Sequence, residues 1–162
     1  MNSLIGAVKR FSSWMNSLSG IVLFLMMMLT VVDVGLRIFW RPITGTYELV
    51  AMAGAVVVAF AIPQTSWDNA HIFVDFLLEK RSRAVKTAFG CFTKLLGVIL
   101  FVMLGYYLLL KSNHLFRSGD VSLTLGIPYY PVAYGLAFCA FLQALVLVLH
   151  MVVLFKNGEN NG

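Results

Sequence analysis

Four charged residues stand close together beside long apolar runs: Asp33, Arg37, Arg41 and Glu48. Charge in such a setting is costly, so it is the first place to look for function. Asp33 and Arg37 are four residues apart and share a face of any helix that carries them. Glu48 follows a short connection and can approach Arg37. Two chemistries fit this set: a proton or cation site, or an ion-pair latch that fixes one helix against the next. Counting ~1.5 Å per residue from Trp14 puts Asp33 about 28 Å away, near the far surface of a bilayer. That is shallow for a transport site, and the latch is the reading we adopt. No other carboxylate falls deep in an apolar run, so transport by this chain alone lacks its usual ion-coupling group.

A second cluster is His71 with Asp75 and Glu79, each four residues from the next. Ile72, Phe73, Phe76 and Leu77 form an opposing apolar face, and Asp68 can cap the start. This predicts a short amphipathic helix on a membrane surface, with an imidazole–carboxylate pair that holds the loop or docks a partner. A metal site would need a further good ligand. The other histidines, His114 and His150, fall at opposite membrane depths, which does not suit bis-histidine haem ligation. Cys91 and Cys139 lie inside apolar stretches and read as small hydrophobes rather than a disulfide or metal pair. No phosphate loop, Ser/His/Asp set or Cys/His set argues for an enzyme, and no metal or cofactor is expected.

The elements that position these groups follow from composition. Of 162 residues, 60% are hydrophobic and 12% charged, against about 25% charged in soluble domains. A soluble globule and a disordered chain are both excluded by that balance. The net charge is +5, but the basic residues sit at the ends of apolar runs, as in membrane helices, and not on a nucleic-acid-binding face. A bilayer crossing takes roughly 20 apolar residues. The uncharged runs predict an all-α integral membrane protein of one domain. Its four spans lie at about 18–39, 46–65, 84–110 and 129–155, with Pro128 and Pro131 setting the start of the fourth. The first span is too long for a signal-peptide core and lacks a cleavage site, so it reads as uncleaved. Before it, Leu4, Val8, Phe11, Met15 and Leu18 recur at helical spacing. They form either an N-terminal interfacial helix or an extension of the first span.

Lys9, Arg10, Lys80, Arg81, Arg83, Lys86 and Lys156 fall on one side, against Arg37, Arg41, Lys111 and Arg117 on the other. This bias predicts cytoplasmic termini. Tyr47, Tyr106, Tyr107, Tyr129, Tyr130 and Tyr134 all gather near the outer ends, as an aromatic belt would. Trp14 and Trp67 mark the inner interface and Trp40 the outer one. In the second span Ala51, Ala55 and Ala59 recur every four residues, a spacing that lets helices approach closely. Packing within the chain is favoured over packing against another. Lys86 and Lys94 would snorkel to phospholipid headgroups. The segment Asn157–Gly162 is expected to be a disordered tail.

Ordered along the chain, several motifs stand out. Val31-Val32-Asp33-Val34-Gly35-Leu36-Arg37 closes the first span, and Gly45-Thr46-Tyr47-Glu48-Leu49 opens the second. His71-Ile72-Phe73-Val74-Asp75 follows the second span, and Leu125-Gly126-Ile127-Pro128 leads into the last. With four spans and this length, the chain resembles the small membrane subunit of tripartite ATP-independent periplasmic (TRAP) transporters, the DctQ-type family. The family often opens its second span with two acidic residues, whereas here Tyr47 precedes Glu48. The resemblance implies a bacterial inner-membrane protein. Its partners would be a large subunit that carries the substrate and Na⁺ sites and a periplasmic solute-binding protein. The system would take up small organic carboxylates, with the small subunit as scaffold. Arg37, Glu48, His71 and Asp75 would be architectural positions, and Ser112–Gly126 the contact for the binding protein. The rival readings are an anchor subunit of a haem- or quinone-containing redox complex and an autonomous exporter.

Overall fold

The computed structural model describes residues 2–39, 41–67 and 83–159, with side chains at 6–39, 41–67 and 90–152. Among the described residues the chain forms four helices: α1 (Asn2–Phe39), α2 (Thr46–Trp67), α3 (Arg83–Ser118) and α4 (Tyr130–Glu159). Each contains a segment long and apolar enough to cross a membrane, namely Gly6–Phe39, Thr46–Trp67, Gly90–Ser118 and Tyr130–Val152. The four expected spans are therefore present.

Their boundaries reflect local chemistry. Helix α1 is unbroken over 38 residues, about 57 Å at 1.5 Å per residue, so it projects well beyond ~30 Å of hydrocarbon. Residues 2–17 form no separate interfacial element but extend the first helix. The apolar face expected there is partly buried: Met15 is buried and Val8 and Leu18 are half-buried, beside the buried Ser12 and Ser19, whereas Phe11 is exposed. Pro42 keeps Arg41 out of helical geometry, and the connection ends at Gly45, whose φ is +87°. Thr46 Oγ donates to the Ile43 carbonyl at 3.0 Å, and the Leu49 N–H closes onto the Gly45 carbonyl at 3.0 Å. Pro63 lies inside α2 without ending it, since membrane helices can re-satisfy the freed carbonyl locally.

Helix α3 corrects a boundary. The charge-free run ends at Lys111, but the helix continues to Ser118. Lys111, His114 and Arg117 do not oppose helix formation; they only mark where the chain leaves hydrocarbon. The stop is Gly119, at φ +68°, with its N–H on the Leu115 carbonyl at 3.1 Å, a left-handed C-terminal glycine. The connection that follows is ordered. Val121 and Pro128 pair in an isolated antiparallel bridge, with the Ser122 N–H on the Ile127 carbonyl at 2.8 Å.

Extensive packing runs from α1 to α2, from α2 to α4, and from α4 to α3. The spatial order α1–α2–α4–α3 is an open row; α2 and α4 are its two interior members, and α4 is the more deeply buried. Ala133, Ala137, Ala140, Ala144 and Leu147 are buried along it at alternating spacings of three and four, joined by Cys139 and Val146. Small residues at this spacing allow close helix approach in lipid. On α3, a Cβ placed on Gly105 would meet the Phe141 ring at 3.0 Å, and one on Gly97 would meet Leu147 at 3.0 Å. In contrast, α1 and α3 leave rows of large apolar side chains exposed, among them Phe24, Val31, Leu96 and Met103.

Candidate functional site

The charged residues assemble at the end that carries the α1–α2 and α3–α4 connections. Asp33 is buried on the last turns of α1. Its Oδ2 accepts from Arg37 Nε and Nη2, both at 2.8 Å, and its Oδ1 accepts from the Ile43 N–H at 2.8 Å. One carboxylate thus neutralises an arginine on its own helix and ties down the connection to α2. The Arg37 guanidinium also lies 5.3 Å from the centre of the Tyr47 ring, within cation–π range. Arg41 is exposed.

Glu48 does not pair with Arg37. Its carboxylate accepts from the Ser122 hydroxyl, from the Thr124 N–H at 3.2 Å and from the Thr124 hydroxyl at 2.9 Å. The expected Arg37–Glu48 latch is therefore replaced by two clasps. Asp33 holds the α1–α2 connection, and Glu48 holds the α3–α4 connection onto α2. The physical reason is that Asp33 already engages the arginine, while Glu48 faces hydroxyl and amide donors that bond a carboxylate more strongly than a neutral oxygen. Leu125 packs over Gly45 so closely that a Cβ there would stand 2.5 Å from its Cγ.

Aromatic side chains surround this end. Phe116 and Tyr130 meet edge to face at 5.3 Å, Tyr130 and Tyr134 at 6.5 Å, and Tyr134 donates to Asn113 Oδ1 at 2.6 Å. Ser112 donates to the Tyr130 carbonyl at 3.1 Å. Ser112 is buried and helical, so only the later part of the segment Ser112–Gly126 is a loop, with Leu123 fully exposed at its tip.

The small residues of α2 do not act as one stripe. Ala55 and Ala59 line a groove of about 380 Å³ with Gly54, Val58 and Ile62, whereas Ala51 is exposed. The opposite wall is Phe101, Leu104 and Leu108 of α3, and the floor is α4. Gln143 belongs to that floor. It is 2% exposed and donates to Ser66 Oγ at 2.5 Å. Gln143 was not singled out from the sequence, although an amide in the uncharged run 121–155 was the available signal.

At the other end, Trp67 and His150 meet edge to face with centroids 4.8 Å apart. Lys94 is half-buried on α3. His71 and Asp75 lie outside the described residues, as does the expected amphipathic segment around them, and so does the side chain of Lys86. Among the described residues no three His, Cys, Asp or Glu side chains gather as a metal site would require.

The model for the DctQ component of tripartite ATP-independent periplasmic transporters matches residues 26–157. No curated protein and no solved structure gives a match. The matched region runs from the middle of α1 through the last turns of α4, and includes both clasps and all the helices of the row. Four membrane-length helices, two carboxylate clasps and a match over most of the length carry one conclusion: the chain belongs to the DctQ component family of TRAP transporters, as a multi-pass membrane component of a transport system.

Proposed function

We propose that this chain is the scaffold subunit of a Na⁺-coupled, binding-protein-dependent transporter for small organic carboxylates. It binds and supports a large membrane subunit that carries the substrate and ion sites. The connection end, with Asp33, Glu48 and Leu123, faces the periplasm and its solute-binding protein; both termini face the cytoplasm.

The observation that supports this reading most is the placement of charge. Asp33 and Glu48 sit at the connection end, and each is committed to holding a loop. Neither is free to load and release an ion across the bilayer, as a coupling carboxylate must.

The test is co-expression with the large subunit and binding protein of the same system. Purification in mild detergent should give this chain and the large subunit at one-to-one stoichiometry, and Na⁺-driven uptake in vesicles should require all three proteins. Uptake by this chain alone, or a purified chain that carries a haem absorption band, would overturn the reading.

A further inference from the structure

The end of the row opposite the clasps gathers two basic groups with no acid beside them. Gly97 of α3 stands against Leu147 of α4, and Gly105 against Phe141, so the two helices run antiparallel. Lys94 and His150 each lie three residues beyond the first of these contacts, one turn along the same faces. They come opposite each other, close enough for their charges to interact. His150 also packs edge to face on the Trp67 ring of α2, at 4.8 Å. Three helices thus bring an ammonium and an imidazole together, both half-buried and so reachable from outside. Among the described residues Lys94 makes no ion pair. The carboxylates whose side chains are described, Asp33, Glu48 and Asp120, all lie at the clasp end.

A cation partly withdrawn from water without a counter-ion is costly, so this pair calls for an anion. Depth says which one. Helix α2 has 22 residues, about 33 Å at 1.5 Å per residue, against ~30 Å of hydrocarbon. With Thr46 at one surface, Trp67 and the groups beside it stand at the headgroup level of the other. The anion that lies at that level is the phosphate of a phospholipid. From Lys94 toward the bilayer centre, Leu95, Leu96 and Ile99 are exposed, an apolar surface for acyl chains that a free phosphate would not use.

We infer that Lys94 and His150 together bind the phosphodiester of an anionic phospholipid, one oxygen on the ammonium and another on an imidazole N–H. Trp67 holds the imidazole in place; its own indole N–H is closed off within the chain and donates nothing to the lipid. The site needs only that the chain crosses a membrane, and it goes beyond the scaffold reading.

The test offers phosphatidylglycerol, or phosphatidylcholine as a zwitterionic control, to the delipidated full chain in mild detergent. Native mass spectrometry should retain one phosphatidylglycerol in preference to phosphatidylcholine, and that lipid should raise the melting temperature. Lys94→Gln should lower the retained fraction by about fivefold, and so should His150→Phe, which keeps a ring against Trp67 but offers no N–H. Lys94→Arg should retain the lipid. So should Lys111→Gln, which removes an exposed lysine at the other end of the same helix. Equal retention of the two lipids would overturn the inference, since no headgroup is then selected. A loss with Lys111→Gln as large as with Lys94→Gln would overturn it as well, because bulk charge alone would be at work. Displacement of the lipid by millimolar inorganic phosphate would mark a site for free anions, and the lipid assignment would be wrong.

Discussion

Replacing Gly45 with alanine should destabilise the connection end through two separable effects. Gly45 has φ +87°, a region that costs an L-residue with a Cβ about 1–2 kcal/mol. Its new Cβ would also stand 2.5, 2.7 and 2.9 Å from Leu125 Cγ, Cδ1 and Cδ2, where ordinary carbon contacts are ~3.5–4.0 Å. Leu125 is 37% exposed and can swing outward, which keeps the overpacking cost near the lower limit, about 1 kcal/mol. The sum is roughly 2–3 kcal/mol, or a fall in melting temperature of about 5–10 °C for a chain of this size. Gly119→Ala supplies the control, since Gly119 has φ +68° and no atom within 4 Å of the added Cβ; it should show the backbone cost alone. In the double variant Gly45→Ala with Leu125→Ala, the overpacking cost should vanish and the backbone cost remain, a coupling of about 1 kcal/mol. The assay is fluorescence-detected size exclusion of detergent-solubilised protein after heating. If Gly45→Ala melts with the wild type, or if Gly119→Ala costs more than Gly45→Ala, the packing of the α3–α4 connection onto α2 is not as described.

Glu48→Ala should leave the Asp33–Arg37 pair intact and free the α3–α4 connection instead. Hydrogen exchange at the Thr124 amide should accelerate by about tenfold or more, with no change at Ile43. Asp33→Asn keeps an acceptor for the Ile43 N–H, whereas Asp33→Ala removes it. Alanine should therefore release the Ile43 amide to exchange and asparagine should not; equal exchange in both would refute the clasp. Gly105→Leu drives a side chain into the Phe141 ring, 3.0 Å from the glycine's Cβ position, and should cost about 1–3 kcal/mol. Gly35→Leu, where a Cβ meets nothing within 4 Å, should melt within a degree or two of the wild type.

The two clasps show where sequence reasoning stops. Asp33 and Arg37 are joined by helix periodicity, and the structure forms that pair. Glu48 meets residues 74 and 76 positions away, and no periodicity links them. From the sequence Arg37 was the natural partner, yet opposite charge at short separation loses to a carboxylate already in place and to donors delivered by a folded connection. The extent of α3 was misjudged for a related reason. Loss of hydropathy reports the edge of the bilayer, whereas a helix ends where its backbone turns, at Gly119.

The sequence by itself determined the class of this protein, its four spans and the crowding of its tyrosines toward one end. These follow from one-dimensional quantities: uncharged length against bilayer thickness, and aromatic and basic residues at interfaces. The tertiary structure alone decided that the helices stand in the row α1–α2–α4–α3, that α4 is the most deeply buried of them, and that Ala55, Ala59 and Gln143 share a groove while Ala51 does not. In lipid nearly every side chain of such a helix is apolar whichever way it faces, so hydropathy carries no record of which face is buried. That record lies in the fit of small residues against large ones, which exists only once the helices are side by side.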